Sequence, residues 1–165
     1  MKLVKQKGKT CLLACASMLL DEEIETLIKE IGYSGEELVF NGLRGIHIQE
    51  IQDCCLRRGF GLCLVEYDPS LGYRYTEDLT NIPANVVEKS VFKNDFLKSR
   101  ILCYLKSNLG LLILADTAGA QTGHAVVVAN HLVFNPALGI SELSALDFNT
   151  IREVWILAKL KSNQN

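Results

Sequence analysis

Thr10-Cys11-Leu12-Leu13-Ala14-Cys15-Ala16-Ser17-Met18-Leu19-Leu20 contains the longest apolar run of the chain, from Cys11 to Leu20, and the rest of the fold must be built around it. Thr10 is a residue type that starts helices, and the ten positions after it carry no charge. A helix that is apolar all round has no face to give to water, so it belongs in the middle of a domain with other elements packed around it. The run is about half the ~20 residues a helix needs to cross a bilayer. It also lacks a small-residue cleavage site, so neither a membrane span nor an export signal is expected.

Outward from this helix, the pattern continues helical and then turns to strands. Asp21 is expected to cap a second helix, with Ile24, Leu27, Ile28 and Ile31 on one face and Gly32 at its end. Gly35 and Gly42 to Gly45 mark a loop, and a third helix runs around His47 to Arg58 until Gly59 stops it. Leu62 to Tyr67 alternates as a strand does. Residues 68–85, with Pro69, Gly72, Tyr73, Tyr75 and Pro83, read as irregular. A fourth helix is expected from about Phe92 to Ser107, with Leu97, Ile101 and Leu105 on its stripe. Leu111 to Ala115, His124 to Ala129, Leu132 to Asn135 and Val154 to Leu160 are β-like. No repeat or linker divides the chain. The expected architecture is one α+β domain over residues 1–165, its helical front half packed on an antiparallel sheet.

Composition bounds the function classes. A chain of 165 residues with 48% apolar and 22% charged residues can bury a real core. A net charge of −2 gives no reason to expect nucleic acid as a partner. Lys2, Lys5, Lys7 and Lys9 form a local basic run, read as a solvated arm, with steering of an acidic partner as the alternative. The six cysteines stand mostly in apolar contexts, which suits reduced thiols in a cytoplasmic protein better than a disulfide framework. Cys54 and Cys55 lack the spacing of a zinc site, so neither metal nor cofactor is expected.

Four residues carry chemistry. Cys11 follows the Thr10 cap, where the partial positive charge and free N–H groups of a helix start favour a thiolate over a thiol of ordinary pKa near ~8.5. Cys15 lies one turn further into the apolar helix, where burial raises a thiol pKa and leaves it inert. Asn130-His131 reads as a two-residue hairpin turn, since Asn tolerates a positive φ. That turn would pair Ala129 with Leu132, Val128 with Val133, Val127 with Phe134 and Val126 with Asn135. His124 and Asn135 then share a face, within side-chain reach. The Asn135 oxygen can hold one ring nitrogen of His124 and leave the other facing Cys11. Gln6 completes the set, because its amide and the Cys11 backbone N–H are two donors for an oxyanion. Asp116 is a backup orienter for the imidazole. His47 and His131 read as surface residues. Tyr67, Tyr73, Arg74 and Tyr75 are candidates to line the approach to the site.

Gln6, Thr10-Cys11-x-x-Ala14-Cys15-x-x-Met18, Gly123-His124-x-Val126-Val127 and Asn135-Pro136 together resemble the papain-like cysteine peptidases. The similarity is to the compact branch that trims bacteriocin leaders at double-glycine sites, and to its small stand-alone bacterial and phage relatives. It implies Cys11 as nucleophile, His124 as general base, Asn135 as its orienter and Gln6 in the oxyanion hole. It implies a peptide or isopeptide hydrolase working through a thioester, with a peptide or protein substrate. Leu12 stands where that family often has Gly, and Gln6 is one residue closer to Cys11 than is common. Asn135 replaces the Asp of the leader-peptidase branch. The same four residues also suit an acyltransferase or a glutamine deamidase, and a non-catalytic peptide-binding module is the reading outside enzymes.

Overall fold

A computed structural model describes residues 1–8, 10–35, 45–67, 97–107, 110–116 and 123–160. Helix α1 (Cys11–Leu20) is buried at every position from Leu12 to Met18, as its unbroken apolar sequence requires. Its buried Ser17 hydroxyl is satisfied by donating to the Glu22 carbonyl. Asp21 ends α1 rather than starting the next helix. It takes the left-handed conformation at φ 54°, which Asp tolerates, and its N–H returns to Ser17 O. Extended Glu23 then leads into α2 (Ile24–Ile31), which buries Leu27 and ends at Gly32, φ +96°.

Helix α3 (Ile48–Arg57) opens on a reciprocal cap between His47 and Glu50, the His47 N–H donating to Glu50 Oε2 at 2.7 Å. The Arg58 guanidinium, just past its end, bonds Glu30 of α2 at 2.8 Å and Glu22 at 3.4 Å. This ties the α1–α2 connection, α2 and α3 together at one end.

The strands among the described residues form one sheet. Its members are β1 (Phe60–Tyr67), β2 (Leu111–Asp116), β3 (Gly123–Ala129), β4 (Leu132–Asn135), β5 (Gly139–Glu142) and β6 (Ile151–Lys159). They lie in the order β1-β6-β2-β3-β4-β5, and every neighbouring pair is antiparallel. Leu62, Leu112, Ala125, Val127, Phe134 and Trp155 face α1, α2 and α3. Leu111, Ile113, Val126, Val128, Val133 and Val154 face the other way, against Leu97, Ile101 and Leu105 of helix α4 (residues 97–106).

The fold is therefore α+β with the N-terminal helices ahead of the sheet, and α4 adds a layer on its second face. Burial on both faces explains why Leu111-Leu112-Ile113 and Val126-Val127-Val128 read as apolar runs instead of alternating. Other expectations shift in detail. β1 begins at Phe60 and β6 at Ile151, earlier than the expected starts at Leu62 and Val154. β5, Gly-Ile-Ser-Glu, is an edge strand that the sequence does not announce, being short and mostly exposed. Residues 68–85 and the expected start of α4 lie outside the described residues.

The β3–β4 connection is the two-residue turn, with Asn130 at φ 51° and His131 at φ 62°. Three of the four expected pairs form: Ala129 with Leu132, Val128 with Val133 and Val127 with Phe134. The fourth, Val126 with Asn135, does not, because the ladder stops one pair earlier.

Candidate active site

The place where β4 leaves β3 is where the candidate residues meet. In an antiparallel ladder, alternate pairs exchange both of their N–H···O bonds, beginning with the pair that flanks a two-residue turn. Ala129–Leu132 and Val127–Phe134 are such pairs, and Ala125–Pro136 would be the next. Pro136 has no N–H to give. Asn135 also turns the chain away, its Oδ1 accepting from the backbone N–H groups of Ala137 at 2.9 Å and Leu138 at 3.1 Å. Both abandoned groups find partners in the N-terminal segment. The Pro136 carbonyl accepts from the Gln6 N–H at 3.2 Å, and the Ala125 N–H donates to the Cys11 sulfur.

The same oxygen settles the state of the imidazole. Two backbone N–H groups can only donate, so the Asn135 atom that receives them is the carbonyl oxygen and not the amide nitrogen. His124 Nε2 lies 2.9 Å from that oxygen and must be the protonated nitrogen. Nδ1 is then the nitrogen left for Cys11, with which His124 is hydrogen-bonded. Cys11, His124 and Asn135 thus form one continuous chain, fixed at its far end by the turn at residues 135–138.

Cys11 is the first residue of α1 and is partly exposed. Burial pushes its thiol up. The hydrogen bond and charge of His124, with the N–H groups of Ala125 and Leu12, outweigh burial and bring it below the ordinary thiol value. The Cys11 contact raises the imidazole pKa against burial, and the Asn135 hydrogen bond raises it further. Both shifts favour a thiolate–imidazolium pair. Cys15, fully buried one turn on, is driven well above the ordinary thiol value by burial and then by the Cys11 charge. Burial also raises Cys54, and it pushes Cys55 up to about 11.

Thr10 does not cap α1 with its side chain. Its hydroxyl turns back to accept the Lys7 N–H at 3.0 Å and to donate to the Lys7 carbonyl at 2.8 Å. The hydroxyl is spent on closing the turn through Gly8, φ 59°. With no side-chain cap, the N–H groups of the first helical turn stay available to an anion at Cys11.

Gln6 is held beside Asn135 through Pro136, and its Nε2 donates to Gly8 O at 2.9 Å. Its Oε1 is buried with no hydrogen-bond partner among the described residues. The amide is therefore fixed in one orientation, with a second Nε2 hydrogen left to give.

Asp116 ends β2 opposite Gly123, and its side chain lies outside what the structure describes; it is Asn135 that reaches His124. His47 and His131 are exposed. Tyr67 pairs with Glu153 at the far side of the sheet, three strand spacings or about 14 Å from β3. Tyr73, Arg74 and Tyr75 lie outside the described residues. The ladder opening at Pro136 is the feature that sequence reasoning missed, and the imino acid was its signal. Among the described residues no group of His, Cys, Asp and Glu is placed to hold a metal ion, and no helix is long and apolar enough to cross a membrane. No protein-family model and no curated protein matches the chain.

Proposed function

We propose that the protein is a papain-like cysteine hydrolase that cleaves a peptide or isopeptide bond through a thioester on Cys11. The observation that carries this reading is the hydrogen-bonded chain Cys11–His124–Asn135, with the thiol lowered and the imidazole raised. In the resting pair, the proton of Cys11 resides on Nδ1 of His124 and the sulfur is a thiolate. The sulfur attacks the scissile carbonyl, and the oxygen takes up negative charge as the C=O π bond opens. Free N–H groups at the start of α1 and the spare Nε2 hydrogen of Gln6 are the donors for that charge. Collapse of the tetrahedral species expels the amine, which takes the Nδ1 proton and leaves an acyl thioester. Neutral His124 then removes a proton from water, the hydroxide attacks the thioester, and the carboxylic acid departs as the thiolate is restored. Asn135 holds Nε2–H throughout, so the same ring nitrogen gives and takes each proton.

The test is to trap the thioester. The protein is mixed with a pool of short peptides and quenched in acid, and intact mass is measured. The expected result is an acyl adduct on Cys11 that hydroxylamine removes and that is absent in Cys11→Ala. Turnover in ¹⁸O-water is expected to place one heavy oxygen in the new carboxylate. Products that carry no ¹⁸O, or an adduct that persists in Cys11→Ala, would contradict the proposal.

A further inference from the structure

We infer that Lys5 is a specificity residue that receives a substrate carboxylate beside the His124–Asn135 pair. The inference rests on the reading of Cys11 as the nucleophile and adds to it a class of substrate. Gly139 is the register partner of Asn135 across β4 and β5. Directly paired residues send their side chains to the same face of a sheet, so the missing side chain of Gly139 leaves open the space next to Asn135 on the His124 side. The Lys5 ammonium occupies that space. Its Nζ lies 3.9 Å from the point where a Cβ on Gly139 would stand.

The backbone explains why Lys5 lies there. Lys5 precedes Gln6, whose N–H is fixed to the Pro136 carbonyl, so the chain is anchored one residue from the lysine. Among the described residues no carboxylate lies within ion-pair distance of Lys5, whereas Arg57 and Arg100 each have one and Arg58 has two. An exposed, unpaired cation beside an anchored backbone, on the face of the imidazole and its orienter, is placed to meet an anion carried by the molecule that acylates Cys11. Lys7, one residue beyond Gln6, adds positive potential of the same sign. Asn135, being neutral where a carboxylate can stand, leaves the ammonium uncompensated. The anion is a carboxylate on the substrate, either an acidic side chain near the scissile bond or a free C-terminus.

Two alkylating agents of nearly equal size test this on the intact protein. Iodoacetate carries a carboxylate and iodoacetamide does not, so the ratio of their rates at Cys11 reads the local preference for an anion. The ratio is to be measured in the parent, Lys5→Glu and Lys29→Glu. The last makes the same change of net charge on an exposed position of α2, away from the site. Reversing a nearby charge in a water-like medium is expected to lower the ratio several-fold in Lys5→Glu. The ratio is expected to hold in Lys29→Glu, and the parent's preference is expected to weaken with added salt. A ratio that is equal in the parent and Lys5→Glu, or that falls equally in Lys29→Glu, overturns the inference. Failure of Cys11 to react rapidly with either agent instead sinks the reading of Cys11 as nucleophile, so the two failures are distinct. Protection of Cys11 by two peptides then identifies the source. One has a Glu side chain and an amidated end, and the other has neutral side chains and a free carboxylate. Whichever loses its protection in Lys5→Glu names it, and if neither does the inference fails.

Discussion

Cys11 and Cys15 stand one helical turn apart on α1, and their thiols are driven in opposite directions. Both lose water, which raises a thiol pKa; only Cys11 gains an imidazole and two N–H donors in return. The difference is one of position along the helix, since the first turn meets the opened ladder and the second meets the core. Asn135 is the residue on which that position most depends, because its Oδ1 serves three donors. Asn135→Ala is expected to cost about 1–3 kcal/mol in urea unfolding, from the donors it strands. It is also expected to slow alkylation of Cys11 near neutral pH by roughly tenfold as the imidazole loses its fixed orientation. Asn135→Asp keeps the acceptor and adds a charge beside the imidazole. It is expected to raise the His124 pKa further, extending the pair to higher pH in a titration followed by NMR. A fall in that pKa on introducing Asp would contradict the geometry given for Oδ1.

At the scale of elements, the β3–β4 turn and the turn through Gly8 set the site. The former was legible in Asn130-His131 because Asn tolerates a positive φ, and that one inference put His124 and Asn135 on the same face. His131 is less suited to its φ of 62°, and Asn-Gly is the preferred pair in such turns. His131→Gly is expected to raise stability by about 0.5–1 kcal/mol, read as a higher thermal midpoint, with Cys11 alkylation unchanged. A loss of alkylation would give His131 a role that its exposure denies. The Gly8 turn was not legible, because a threonine before an apolar helix has two uses and only the fold decides between them. Thr10 spends its hydroxyl on Lys7, and capping of α1 is left open for an anion. Thr10→Val keeps the shape and is expected to destabilise by about 1–2 kcal/mol, with both Lys7 groups left unpaired. Stability equal to the parent would show that the turn holds without it.

Across the whole molecule, the sheet is buried on both faces. The alternation of Leu112 toward α1–α3 and Ile113 toward α4 makes this testable. Leu112→Ala and Ile113→Ala are each expected to cost about 2–5 kcal/mol in urea unfolding, since each opens a cavity in a different layer. Tolerance of one and not the other would mean that only one face is packed. The class of fold was legible because α1 has no polar side and the later strands are dense in β-branched residues. The second layer was hidden for the same reason, since an apolar run does not say how many faces it buries. β5 was hidden because an edge strand with solvent on most of its residues carries no apolar signature.

In the proposed mechanism His124 makes Cys11 a thiolate against the opposing effect of burial. This is tested most directly by the rate of iodoacetamide alkylation of Cys11 across pH, in the parent and in His124→Ala. A lowered thiol pKa puts the onset of reaction in the parent below the ordinary thiol range. Removing His124 leaves burial to act without its largest opposing cause, so the onset is expected to move to higher pH, with a loss of rate below the ordinary thiol range. An onset at the ordinary thiol range in both proteins, with no shift between them, would contradict the account.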